Sequence, residues 1–239
     1  MLSLCGRVQI RSGWDMEYKK EIVKVISSLS GKYSPYQIFS DFCKMFALAI
    51  SNACIMDHDD LWNEREEAYK ATISRYEEKE ALKFLDMKDL LIEAMGEEMN
   101  DFLGQIFMES GAGNSAAGQF FTPFHLSLAT AETGVSNDIP EDEIITMAEP
   151  SCGGGGMIIA TARVLKERGI SYQKRLRVVA QDLDWLAVYM TYIQLSLYGI
   201  DAIVCQGDTL KDPYYNGYPR RRVMRTPRNV GMLIPGWEV

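Results

Sequence analysis

Ile144-Ile145-Thr146-Met147-Ala148-Glu149-Pro150-Ser151-Cys152-Gly153-Gly154-Gly155-Gly156 decides the fold. Its first five residues form a short apolar run, the pattern of a buried strand. Glu149-Pro150 ends the run, four glycines follow, and Met157 opens a helix that reaches Arg168 and stops at Gly169. The alternation then repeats. Leu176–Gln181 reads as a second strand, Asp184 caps a helix running to Tyr198 and stopped by Gly199, and Ala202–Gln206 reads as a third strand. Strand–helix–strand–helix–strand predicts a parallel, right-handed α/β layer.

Working back from the glycines, Thr122-Pro123 opens a helix through His125, Leu126, Leu128 and Ala129 to Gly134. Gly111–Gly118 is small and polar and reads as a loop. Everything from Asp15 to about Glu109 reads helical, with an apolar stripe at Ile22, Val23, Val25, Ile26 and Leu29. Ser34-Pro35-Tyr36-Gln37 is a helix start, with Ser34 as N-cap and Pro35 in the first position. Asp59 to about Phe84 is charge-laced and reads as a solvated helix face with i,i+4 pairs. Residues 211–239 show no strong periodicity and predict no strand. The expected division is a helical domain over 1–109, a flexible loop and covering segment over 110–123, an α/β domain over 124–210 and a basic tail over 211–239.

The chain has 239 residues with 25 basic and 33 acidic side chains, a net charge of −8. That balance argues against a dedicated nucleic-acid binder. One segment departs from it: Arg220, Arg221, Arg222, Arg225 and Arg228 put five positive charges into nine residues with no acid among them. Three readings stand for this run: a DNA phosphate contact, a contact with an acidic partner, or a solvated tail. No apolar run approaches the ~18 residues of a membrane span. The first residues lack a secretory h-region, so export is not expected. Five scattered cysteines and two histidines predict no metal site and fit a reducing cytoplasm.

In an open parallel sheet, ligands bind outside the carboxyl ends of the strands. Glu149-Pro150 and Gly153–Gly156 stand after the first strand, where glycines let backbone amides at a helix N-terminus approach a ligand. A simple tight turn is the competing reading. The spacing is not that of dinucleotide folds, and no Gly-Lys-Ser/Thr follows for a triphosphate. An acid ahead of the loop suits a ligand that carries an ammonium group. The second strand ends in Gln181-Asp182-Leu183-Asp184, where either aspartate can hold ribose hydroxyls or cap the next helix; we assign Asp182 to the ligand and Asp184 to the cap. Gly207-Asp208-Thr209-Leu210 follows the third strand, where an acid either accepts from an adenine amine or turns the loop.

These segments occur in a known order. Gly118-Gln119-Phe120-Phe121-Thr122-Pro123, Glu149 to Gly156, Ala180 to Asp184 and Gly207 to Leu210 resemble the motifs of S-adenosylmethionine-dependent adenine DNA methyltransferases. The chain looks most like the modification subunit of type I restriction-modification systems. The resemblance covers residues 110–210 well and the helical part more loosely. It implies a helical N-terminal domain followed by a partial Rossmann-like methyltransferase domain with a mainly parallel sheet. It also implies roles. Phe121, Thr122 and Pro123 would cover the methionine end of S-adenosylmethionine. Glu149 with the backbone of Gly153, Gly154 and Gly155 would hold its amino-acid part. Asp182 would take the ribose and Asp208 the adenine amine. DNA and a partner subunit are the implied partners, and the cytoplasm the implied location.

The sequence departs from the family on the acceptor side. The family places Asn/Asp-Pro-Pro-Tyr/Phe after a fourth strand, to hold the amine of a flipped-out adenine and stack on its ring. This chain has eight prolines and no adjacent pair. Asp212-Pro213-Tyr214-Tyr215 is the nearest candidate and follows Asp208 too soon to leave room for a strand. The alternative is therefore a catalytically silent cofactor-binding or interaction protein that partners a complete methyltransferase or restriction complex. A plain dehydrogenase-like nucleotide domain fails on the glycine spacing and on the Glu149-Pro150 lead-in.

Overall fold

The computed structural model describes residues 14–112, 121–214 and 218–232. Five helices come first: α1 (Trp14–Leu29), α2 (Pro35–Ala53), α3 (Asp60–Ile73), α4 (Glu78–Glu97) and α5 (Phe102–Glu109). They form where the capping chemistry dictates. Ser34 Oγ accepts from Gln37 N at 3.1 Å, and a carboxylate does the same at α3, where Asp59 accepts from Trp62 N at 3.0 Å. Among the described residues of 15–109 there is no strand, only an isolated bridge between Ser30 and Tyr33.

The charge-laced stretch from Asp59 to about Phe84, read as a solvated helix face, is divided between α3 and α4, which are separated at residues 74–77. The break turns Tyr76 inward. Its ring meets Phe84 edge-on at 4.7 Å and its hydroxyl donates to Asp41 at 2.8 Å. The surrounding charges concealed that aromatic from a periodicity reading.

The α/β layer follows: α6 (Phe124–Gly134), β1 (Ile145–Glu149), α7 (Gly156–Glu167), the single turn α8 (Tyr172–Arg175), β2 (Leu176–Asp182), α9 (Trp185–Leu197) and β3 (Asp201–Gln206). β1, β2 and β3 pair in parallel and in chain order. Two right-handed crossovers in the same direction put α7 and α9 on one face of the sheet. Leu176, Val178, Ala180, Ala202 and Val204 are buried there. Arg177, Val179 and Ile203 alternate onto the other face, partly exposed, where Arg177 Nε pairs with Asp201 at 2.9 Å. The buried apolar cluster runs without a break from α1, α2, α4 and α5 to α7, α9 and the strands. Phe39 against Phe107, with ring centroids 5.7 Å apart, is part of its helical half.

Residues 211–239 were expected to hold no strand. The structure places β4 (Val223–Arg225) there, antiparallel to β3 through Ile203–Arg225, Val204–Met224 and Cys205–Val223. Three residues are too few to show a period, and the flanking arginines disguise them. Met224 and Thr226 are both buried. Thr226 Oγ1 accepts from Ala202 N at 3.0 Å and donates to Ile200 O at 2.7 Å. Arg65 of α3 donates to Val223 O at 2.9 Å, tying the strand to the helices. Thr226→Val keeps the shape and strips both bonds from buried backbone groups. It is expected to lower stability by about 1–3 kcal/mol in urea unfolding; an unchanged midpoint would show that this strand lies outside the cooperative unit.

Candidate functional site

Between β1 and α7 the chain folds into a loop closed on itself and on β2. Gly155 N donates to Cys152 O at 2.7 Å, Cys152 N to Gln181 O at 3.0 Å and Gly153 N to Asp182 Oδ2 at 2.9 Å. Gly153 and Gly155 have φ of +53° and +92°, the left-handed region that a side chain disfavours. Glu149 accepts from Ser151 N at 3.3 Å, and burial, with the nearby Asp182 charge, pushes its carboxyl above the usual value. Burial likewise raises the Cys152 thiol above its usual value.

The loop is held from behind by one face of α9. Thr191 Oγ1 donates to Gly153 O at 2.9 Å. Gln194 Nε2 donates to Gly154 O at 2.7 Å and to Asp101 Oδ1 at 2.8 Å, while its Oε1 accepts from Leu103 N at 3.2 Å. Tyr198, just past the helix, accepts from Asn100 N and donates to Asn100 O, both at 2.9 Å. Asp101 in turn caps α5, accepting from Gly104 N at 2.9 Å. Asn100, Asp101, Thr191, Gln194 and Tyr198 were not among the residues read from sequence as functional. A signal existed: Thr191, Gln194 and Tyr198 recur at helical spacing inside an otherwise apolar stretch, and buried polar groups demand partners.

A cavity of about 310 Å³ opens beside the loop. Of the nine expected cofactor residues, Phe121, Thr122, Gly153, Gly154 and Asp182 line it. Asp182 is well placed for a diol. Its two oxygens accept one backbone N–H each, from Gly153 and from Asp184 N at 3.0 Å, and each keeps a lone pair. Asp184 caps α9 by accepting from Leu186 N at 3.0 Å.

Pro123, Glu149, Gly155 and Asp208 stand outside the lining. Pro123 begins α6, and Gly155 sits beneath, against Thr191. Asp208 accepts from Leu210 N at 3.1 Å and pairs with Lys211 at 3.4 Å. Desolvation pushes its carboxyl up, but those bonds outweigh it and leave the group below its ordinary value. The neighbouring Thr209 hydroxyl donates to Pro150 O at 2.6 Å, bridging the β3 turn to the glycine loop.

Asp212-Pro213-Tyr214 docks on the end of β2, and Tyr215 lies outside the described residues. Gln181 donates to Asp212 O and accepts from Tyr214 N, both at 2.9 Å. The Asp212 carboxylate pairs with Arg222 at 3.1 Å, and that guanidinium also stacks on Tyr218 at 4.4 Å.

Each arginine of the basic run has an internal partner. Arg220 pairs with Asp59 at 2.8 Å and Arg221 with Glu64, both at the start of α3. Arg225 donates to Asn229 and Arg228 to Gln173 O, each at 3.0 Å. The acids nearest Arg220 and Arg221 are therefore the chain's own, although both side chains remain mostly exposed. Among the described residues no three potential ligands stand together for a metal, and no helix is long and apolar enough to cross a membrane.

Gln194→Leu would leave Gly154 O and Leu103 N buried without partners and remove a donor from Asp101. A loss of about 3 kcal/mol in chemical denaturation is the expected outcome. Stability within 0.5 kcal/mol of the parent, on the order of a neutral surface change, would show that the loop does not depend on α9.

Two solved structures are similar to this chain. A chain from Listeria monocytogenes described as a class I S-adenosylmethionine-dependent methyltransferase shares 11% identity at a TM-score of 0.47, covering 81% of this chain and 54% of that one. The type I restriction-modification methyltransferase subunit from Streptococcus thermophilus shares 16% identity at a TM-score of 0.46, covering 85% of this chain and 47% of its own. The chain thus spans about half the length of each. No curated protein matches it. The sequence model of the N-6 DNA methylases matches residues 94–228, more than half of the chain, from the end of α4 through β4. That span contains the glycine loop, its α9 support and Asp182, and the chain belongs to the N-6 DNA methylase family.

Proposed function

We propose that this chain binds S-adenosylmethionine in the cavity at the ends of β1 and β2 and serves adenine-specific DNA methylation of the type I modification class. The observation that carries this reading is the convergence of Asp182, the glycine loop and Phe121-Thr122 on one cavity at the carboxyl end of a parallel sheet. The residues fit the cofactor's shape. The free lone pairs of Asp182 suit two ribose hydroxyls, and the backbone at Gly153 and Gly154 lets a ligand come close. Asp208, outside the cavity lining, would take the adenine amine after exchanging its present contact with Lys211. When bound, the cofactor supplies an already activated methyl group. The chain's own part is to hold the donor, orient it and exclude water. Asp182→Ala is expected to weaken S-adenosylmethionine binding by about 1–3 kcal/mol in calorimetric titration. A folded wild type that binds none at millimolar ligand would end this reading.

For the chain acting alone, one observation favours the second reading, a silent cofactor-binding subunit that partners a complete methyltransferase. Groups of Asp212-Pro213-Tyr214 that would hold an adenine amine already have internal partners: Asp212 O accepts from Gln181 and Tyr218, and one carboxylate oxygen pairs with Arg222. An amine that is neither positioned nor relieved of its proton reacts slower by several orders of magnitude. The exposed Arg220 and Arg221 carry the DNA-contact reading, and such binding would fall steeply with added salt. Incubation with labelled cofactor and unmodified DNA is expected to give transfer only after a partner subunit is added. Robust transfer by the chain alone, lost in Asp212→Ala, would make the displaced motif the acceptor site.

A further inference from the structure

Asp101 is 3% exposed and lines the same cavity as Asp182. Its donors are two neutral groups, Gly104 N and the Gln194 amide, and both reach Oδ1. Among the described residues no cation pairs with it. Burial without a counter-charge pushes its carboxyl above the usual value, and a cation placed beside it would favour the charged form. Close by, the hydroxyl of Ser127 on α6 is fully buried, lines the cavity and has no hydrogen-bond partner among the described residues.

These two groups flank a single void. A Cβ on Gly156, the first residue of α7, would lie 3.1 Å from Asp101 Oδ2 and 3.6 Å from Ser127 Oγ. The glycine keeps that space open. It is bordered by an anion, a hydroxyl and the start of a 12-residue helix whose dipole favours a negative group. An anion beside a helix N-terminus complements a zwitterion, with its ammonium on one side and its carboxylate on the other.

We propose that Asp101 receives the α-ammonium of the amino-acid end of the bound cofactor, with the Ser127 hydroxyl completing the subsite. This rests on the cofactor reading above and changes one of its parts. The ammonium goes to Asp101, and not to Glu149, whose carboxylate serves Ser151 N outside the cavity lining. Asp182 and Asp101 then hold the ribose and the amino-acid end of one ligand across the glycine loop. A charge-assisted bond in a desolvated site is strong enough to be read in affinity.

The test is calorimetric titration of the full chain with three ligands. S-adenosylmethionine and S-adenosylhomocysteine both carry the amino-acid end, and 5′-methylthioadenosine lacks it. Asp101→Asn is expected to weaken the first two at least tenfold and to leave the third within twofold. Gly156→Ala places a methyl 3.1 Å from Asp101 Oδ2 without asking for a disfavoured φ, so it should give the same selective loss in a chain that still unfolds cooperatively. That second variant decides the matter if Asp101→Asn does not fold. Equal loss for all three ligands, or no loss, overturns the assignment. A loss confined to S-adenosylmethionine overturns it too, because the aspartate would then be facing the sulfonium. A wild type that binds none of the three overturns the cofactor reading itself, and this inference with it.

Discussion

The side-chain amide of Gln194 is the contact on which the rest of the site depends. It bonds the carbonyl of Gly154, the carboxylate of Asp101 and the amide of Leu103 from a position with no solvent exposure. A glycine-rich loop has little preference of its own, since each glycine loses more freedom on ordering than any other residue. Something rigid must choose its shape. Here that is the inner face of α9, which is buried against both the sheet and α2. The Gln194 amide itself is bonded through both its nitrogen and its oxygen, and this is what allows it to sit in the core.

Much of this architecture was legible in the chain. The three parallel strands, the helices between them, the caps at Ser34 and Asp184 and the strand-free stretch over 15–109 follow from period, capping residues and glycine stops. The less legible features had weak local signals. β4 is three residues long, and the turn at residues 74–77 is driven by one tyrosine meeting Phe84 and Asp41, contacts that no local pattern contains. In the site, the residues on loops with unusual composition could be read, namely Phe121, Thr122, Gly153, Gly154 and Asp182. Asp101 and Gln194 were harder to read, because a single aspartate at a helix start reads as a cap, and the spacing of Thr191, Gln194 and Tyr198 marks a buried polar face without naming what it bonds. Asp101 is indeed a cap, and its second oxygen is what a cap alone does not explain.

The basic run illustrates how charge read along a chain differs from charge in space. Five arginines within nine residues look like an external contact surface. Folding sets two of them against Asp59 and Glu64 and a third against Asp212. Exposed pairs of this kind add little stability each, typically below about 1 kcal/mol. Their effect is one of register: they fix β4 against α3 next to the backbone bond from Arg65.

The bonds that shape the glycine loop also set the order in which the protein can be assembled. The Gln194 amide joins positions separated by 93 residues at Asp101 and by 40 at Gly154. Contacts this distant in sequence form after local helices, once loop-closure entropy has been overcome. Strands and crossovers of the α/β layer can pair among themselves first. The loop then gains its final form only when the α4–α5 junction docks on α9. A fragment that begins at α6 would carry the glycine loop and Asp182 but lack Asp101 and Leu103, two of the three groups that the Gln194 amide bonds.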